Sequence, residues 1–334
     1  MSRARDNPRV RRAFRSSPAL LFLAMLFSHG ACHAQELAPR AYVITPIPGN
    51  ALILTYSLYD GSLEFDGSIP VTGANARVQV PMLSYYHSFG LAGHSANITF
   101  SLPYAVGHFH GAVAGAERNA YRSGLLDSAV RFAVNLKGGP AMTARQFQTW
   151  RQGTLLGVSL TLVVPTGQYD PTKLLNYGAN RWAVKPEFGY SRRFGHWVLD
   201  AYGAAWFFTE NPEYFSRNAF FPGTRNRTEN PVGAFEGHLS YTVRPRFWVS
   251  LDGNFWFGGR TSLNGVPEPA TLQKNSRVGL TAAIPVTSHQ TLKFSYSNGA
   301  YIRYGGDFQK LAIAWQYSWF SSPTSSPASA HRYR

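Results

Sequence analysis

Three groups of residues in this sequence are of types that can do chemistry. In "EGHLSYT", Glu236, His238 and Ser240 fall on one face of an extended segment and offer an acid, a base and a hydroxyl. Residues two apart on a strand stand in a row. A nucleophile and its base must instead come within about 2.6–3.2 Å, with the base held by a third group. No Gly-x-Ser-x-Gly elbow accompanies them, so hydrolysis is not expected. In "GHFHG", read as part of a loop, His108 and His110 hint at a metal, but the third candidate, His94, falls at the opposite end of its segment. Solvated histidines are the simpler reading, and no metal or other cofactor is expected. The third group is dispersed: Asp127, Arg131, Lys185, Glu187, Asp200, Glu236, His238, Asp252, Asn254 and Lys293 all lie on polar faces of alternating segments. If those faces enclose a common space, the charges select among passing solutes or neutralise one another. Arg131 with Asp127, and Lys185 with Glu187, are the pairs nearest in sequence.

The elements that would position these residues are strands. Apolar and polar residues alternate with period two in segments of about ten residues, the signature of membrane-crossing strands in outer-membrane barrels. "ANITFSLPYA" sets Ile98, Phe100, Leu102 and Tyr104 against Asn97, Thr99 and Ser101; "DSAVRFAVNL" sets Val130, Phe132, Val134 and Leu136 against Asp127, Arg131 and Asn135. "RWAVKPEFGY", "RFWVSLDGNFWF" and "LAIAWQYSWF" repeat the pattern. Shorter examples are 51–59, 78–89, 154–164, 197–208, 233–243, 277–285 and 291–297, which makes twelve. An even number closes an antiparallel up-and-down β-barrel with both chain ends on one side. The fold class expected is therefore all-β, a transmembrane barrel of about twelve strands spanning residues 35–320.

Connection lengths agree with this reading, because outer loops of such barrels are long and inner turns short. The outer loops are expected at 60–75, 106–124, 165–180, 209–231, 258–274 and 298–307. "FGLAG", "RFGH", "VRPR" and "VTSHQ" read as tight inner turns, and "TARQFQTW" in the long inner connection reads as a short helix. Aromatic residues gather at segment ends, where headgroup regions favour them. Trp182, Phe207 and Phe257 fall at the outer ends; Trp197, Phe247, Trp315, Tyr317 and Trp319 fall towards the inner ones. Tyr202, Trp206, Trp248 and Trp256 are candidates for stacking on a flat solute in the lumen. Pro81 and Pro186 fall inside segments and predict bulges, since each removes a ladder donor.

The chain's ends bear on location. Arg9, Arg11, Arg12 and Arg15 precede an apolar run from Ala19 to Phe27 and small residues up to Ala34, the layout of a cleaved signal peptide over 1–34. Cys32 is the only cysteine, so the processed chain holds no disulfide and no thiolate zinc site. Residues 1–34 carry +5 of the formal net charge of +15, leaving +10. For an exported protein that charge meets anionic headgroups and solutes, and no nucleic-acid motif is present. The polar stretch 321–334, "SSPTSSPASAHRYR", reads as a disordered tail.

The run Val163 to Tyr214 resembles the outer-membrane family called "MetA-pathway of phenol degradation". The matching residues are Pro165-Thr166-Gly167, Tyr169-Asp170, Asn176, Gly178, Asn180-Arg181-Trp182, Pro186-Glu187 and Gly195-x-Trp197. "ELAPRAYVITPIPGNALILTYSLYDG" also resembles that family's opening strand. The resemblance implies a bacterial outer-membrane barrel that takes up small, often aromatic, molecules, and it carries no catalytic or binding residues. Outer-membrane barrels typically end on an aromatic residue, whereas here Trp319 and Phe320 are followed by the polar tail. The function expected is passive uptake of small organic solutes by a channel that is no enzyme. Its partners are outer-membrane lipid, lipopolysaccharide, the solute and the barrel-assembly machinery. The alternative is a non-conducting structural or surface-binding barrel.

Overall fold

The structure is a computed structural model that describes residues 37–64 and 71–320. The expected signal peptide and polar tail lie outside the described residues. The first strands are β1 (Gly49–Leu63), β2 (Val71–Leu91), β3 (His94–Val113), β4 (Ala116–Leu125) and β5 (Ser128–Lys137). A short helix α1 (Ala144–Thr149) precedes β6 (Thr154–Val164), β7 (Ala183–Phe194) and β8 (Trp197–Phe208). Then come β9 (Arg227–Glu229), β10 (Val232–Arg244), β11 (Phe247–Gly258), β12 (Thr261–Leu263) and β13 (Val266–Glu268). The last are β14 (Gln273–Pro285), β15 (Gln290–Tyr301) and β16 (Gly306–Phe320).

Twelve of these strands form a closed antiparallel ring, β1-β2-β3-β5-β6-β7-β8-β10-β11-β14-β15-β16, with β16 returning to β1. Closure removes the exposed edges that an open sheet would present. The seam is long: β1 and β16 share fifteen register positions, from Gly49 opposite Phe320 to Leu63 opposite Gly306. β15 and β16 share eight. The alternation read from the sequence is the alternation of the wall. Leu311 (58%) and Ile313 (41%) are exposed outward while Ala312 and Ala314, between them, are buried inward. Leu160, Phe188, Phe235, Leu251 and Leu280 likewise face out, against inward Ser159, Glu187, Glu236, Asp252 and Thr281. An apolar belt of this kind fits only where lipid replaces water.

Tight inner turns carry the strain expected of them: Ala92 and Gly93 (φ 48° and 82°) join β2 to β3, and Arg246 (φ 66°) joins β10 to β11. Thr143 caps α1 in a capping box with Gln146. Helix α1 thus stands where "TARQFQTW" placed it.

Three expectations need correction. Residues 106–124 are not a loop. β3 and β4 continue as a hairpin whose turn is Ala114-Gly115 (φ 50° and 81°), so "GHFHG" lies on a strand. A strand needs about 9–11 residues to cross the hydrocarbon, and β2 and β3 have 21 and 20. With β4 they form a wall that rises beyond the outer rim. Second, Pro81 and Pro186 cause no bulge. The β2–β3 ladder skips Val80 and Pro81, and the β7–β8 ladder skips Lys185 and Pro186, each resuming in unchanged register. A missing donor interrupts a ladder without adding a residue to it; the register shifts occur elsewhere, for example after Thr72, beside Gly73. Third, the outer connections 209–231 and 258–274 contain β9, β12 and β13, which pair as a small separate sheet over the mouth.

Candidate functional site

The lumen is organised in layers. At its inner end lies a segment that no periodicity announced, the residues just ahead of β1. Tyr42 and Ile44 are almost fully buried. The Tyr42 hydroxyl donates to Glu187 Oε1 at 2.9 Å and lies 3.1 Å from Ser159 Oγ, on the inward faces of β7 and β6. Its ring occupies a slot made by Gly157 and Gly189, which are register partners on those strands. A Cβ at either glycine would collide with the ring. Arg40 reaches β10, donating from Nε to Ser240 at 2.9 Å and from Nη2 to Thr242 at 2.8 Å. Its backbone N–H donates to Asp200 and its guanidinium lies 4.7 Å over the Trp248 ring. The Ala41 N–H donates to the Tyr202 hydroxyl. Thr45 meets Tyr86 on β2, and Ile47 N–H donates to the Met142 carbonyl of the inner connection. Residues 40–47 therefore cross the inner lumen from β10 to β2 as a plug. Burial, reinforced by the Arg193 charge, lowers the Arg40 guanidinium to about 10, and burial beside Glu187 pushes the Tyr42 phenol up.

Above the plug lies a layer of charge. Glu187 takes Lys185 at 2.7 Å and Arg131 at 3.5 Å, and Lys185 also approaches Glu236 at 3.9 Å. His238 Nδ1 is 2.9 Å from Asp252 Oδ1, and Asp252 accepts in addition from Ser250 and, at 2.6 Å, from Thr281. Ser250, not Ser240, is the hydroxyl beside this pair, and it bonds the carboxylate rather than the imidazole, so no nucleophile–base arrangement exists here. Asn254 is buried opposite Arg277, which donates to Ser297 at 3.0 Å. Lys293 is half-buried between inward Ala283 and Ala314. The sequence paired Arg131 with Asp127; the structure gives Arg131 to Glu187 and uses Asp127 otherwise. Asp127 stands between β4 and β5, where its oxygens accept the N–H groups of Gly167 and Ala179 at 2.8 Å each. It ties the loop 165–182 to the rim, and burial raises its carboxyl. Close contact of Gly167 with Gly178, and Asn176 donating to the Asp170 carbonyl, complete that fold.

Above the charges the lumen is filled by apolar side chains. Trp206 and Trp256 pack with Val232 and Ala234. Ile302 joins them to a second cluster of Ala76, Val78, Ala105 and Phe308. Trp206 and Trp256 are thus wall packing, Trp248 carries Arg40, and Tyr202 binds the plug. Over this layer lie the loops, held by Arg181 paired with Glu229 at 2.6 Å and by Asn211, which binds Tyr169 and Ala179. Outside, Trp182, Phe207 and Phe257 are exposed near the outer ends of their strands and Trp197 near an inner end. Trp315, Tyr317 and Trp319 form a row of neighbouring rings near the inner end of β16, with centroids 6.3 and 5.8 Å apart. Phe247 stands at the inner end of β11.

The pairing of the wall is interrupted at one place. Where Pro186 interrupts the β7–β8 ladder, the unpaired positions Lys185 and Pro186 stand opposite Trp206 and Ala205 of β8, and Gly203 and Ala204 follow. A shallow depression of ≈ 580 Å³ there is lined by outward Phe188, Phe207 and Phe235 and by inward Ser159 and Glu187.

The profile of the family described as "Putative MetA-pathway of phenol degradation" matches residues 63–317. The chain belongs to this family. Among solved structures it is similar to the COG4313 outer membrane channel from Pseudomonas putida F1, with 19% identity and a TM-score of 0.70 over 85% of this chain and 100% of that one. It also matches the transport unit of the autotransporter AIDA-I from Escherichia coli, with 11% identity and a TM-score of 0.49 over 90% of this chain and 97% of that one. A third match is the Pseudomonas putida toluene transporter TodX, with 11% identity and a TM-score of 0.42 over 82% and 90%. No curated protein matches it in sequence. Family member and closed twelve-stranded barrel with an apolar belt, the chain is a protein of the bacterial outer membrane.

Proposed function

We propose that this barrel is a channel for passive entry of small organic solutes, aromatic ones included, and that residues 37–48 are its inner gate. The observation that carries this reading is the plug. It belongs to no ladder and is held mainly by hydrogen bonds from Arg40, Ala41 and Tyr42. Its withdrawal would uncover the layer of Arg131, Lys185, Glu187 and Glu236 without breaking a strand pairing. The interrupted β7–β8 ladder at Pro186, with the depression beside it, supports a second way out for an apolar solute, sideways from the lumen towards the lipid. Neither route uses a cofactor, a catalytic group or an energy source. The similar Pseudomonas putida F1 barrel is described as an outer membrane channel, which agrees with this reading. Lipid and lipopolysaccharide around the belt, and the assembly machinery during insertion, complete the partners proposed.

Planar-bilayer recording and liposome swelling with the purified barrel test the proposal. Brief openings are expected for the intact chain, and larger, longer ones when residues 37–46 are deleted. Absence of openings and of solute entry in both would overturn it. That outcome would favour the non-conducting barrel, for which the self-paired charges and the apolar layers around Trp256 and Phe308 speak.

A further inference from the structure

The wall made by β2, β3 and β4 encloses, with the outer loops, a cavity of ≈ 170 Å³ at the mouth. Leu63, Val71, Phe109, Leu174, Phe215 and Phe220 supply most of its lining. Apolar cavities of about 150 Å³ accept one benzene ring, so this volume fits a single ring with a small substituent. The polar part of the lining is one-sided. Arg118 and Arg122 line the cavity together with Asn75 and His110, and among the described residues no carboxylate does. Arg118 and Arg122 share a face of β4 with Ala120, opposite Gly111, Gly107 and Phe109 of β3. The nearest acid in sequence, Glu117, is taken by His110 at 3.0 Å. Among the described residues neither arginine forms an ion pair, and Arg122 Nε is buried without a hydrogen-bond partner. In the lumen below, by contrast, each of Glu187, Asp252 and Glu236 stands beside a basic group.

We infer that this cavity is a capture site for a single-ring organic anion, such as an aromatic carboxylate. The ring would lie among Phe109, Phe215, Phe220 and Leu174, and the carboxylate would meet the guanidinium groups of Arg118 and Arg122, the fork that suits it best. Two cations at the rim that form no ion pair among the described residues would also draw anions from solution. The inference deepens the channel reading by naming a solute class, and it rests on that reading only for passage after capture.

Binding and passage can be measured apart. Isothermal titration of the detergent-solubilised full barrel with benzoate, and with benzyl alcohol as its uncharged counterpart, reads capture alone. Saturable benzoate binding is expected, at least about tenfold tighter than that of benzyl alcohol, as one charge-assisted contact would give. Arg118→Gln with Arg122→Gln should remove that preference while leaving benzyl alcohol binding unchanged, and Ala120→Phe, which fills the cavity, should weaken both. Equal affinities for the two ligands, no saturation by benzoate, or benzoate binding unaltered in the double variant would each overturn the inference. If benzoate binds as expected but the barrel passes neither compound in liposome swelling, the site stands and the channel reading falls.

Discussion

Tyr42 sits in its slot because two facing strands each give up a Cβ at the same register position, Gly157 and Gly189. The phenol ring supplies shape, and its hydroxyl supplies a bond to a charged acceptor, Glu187. Hydrogen bonds to charged groups are worth about 1.5–3 kcal/mol. Tyr42→Phe, which keeps the ring, should therefore raise the population of the withdrawn plug by about tenfold or more. Single-channel open probability reads this directly, and an unchanged value in both Tyr42→Phe and Gly189→Ala would show that the plug is not seated there. The lumen charges of the strands were legible as a set because period two puts Lys185 and Glu187, or His238 and Glu236, on one face wherever a strand forms. Their partners were less so. Glu187 meets Arg131 from a strand 56 positions away, and Tyr42 lies 145 positions from Glu187. Nothing local in "RAYVITP" announces a residue whose every contact is remote.

At the level of elements, Pro186 interrupts the pairing of β7 with β8. A proline lacks the N–H that a central strand would donate, and the β7–β8 ladder is unpaired from Lys185 to Pro186 before resuming at Glu187 opposite Ala204. Pro186→Ala supplies that donor and should let β7 and β8 pair through the break. If apolar solutes leave sideways, toluene entry in a liposome assay should fall in this variant while conductance to small ions stays the same. A matching drop in both, or in neither, would rule out the sideways route. The strand cores and tight turns could be read from sequence because large apolar residues alternate there and Gly or Pro punctuates them. The β3–β4 hairpin could not. On β3 its inward positions are Ala105, Gly107, Phe109 and Gly111, a single large residue among small ones and too little to mark a face, and Ala114-Gly115 at its tip looks like loop composition. Small residues stand there because of what lies against them: Tyr177 over Gly107, and β2 against Gly111.

For the whole molecule, closure sets the terms. The ladder of β16 with β1 runs to Phe320 opposite Gly49 and needs no residue beyond it. A chain lacking residues 321–334 should insert and close as the full one does, judged by the heat-modifiable gel shift typical of folded barrels. Loss of assembly would show that the tail takes part in the fold. The barrel class and its strand number were readable because a membrane enforces one outward pattern on every strand. The outer cavity and the small β9-β12-β13 sheet were not, since neither follows from any single segment's period.

Gly49 and Phe320 are register partners at the end of an unbroken seam of fifteen positions. A short linker between them would be one more inner hairpin, no different in kind from those at Gly195 or Arg246. The ring would then tolerate circular permutation, with new ends opened in any inner turn, because twelve strands joined edge to edge have no natural first member. What singles out β1 as the first is the plug. A segment at an end of the ring can enter the lumen as residues 37–48 do without also tethering a neighbouring strand, so if the plug is the proposed gate, the order of the strands serves it and not the wall.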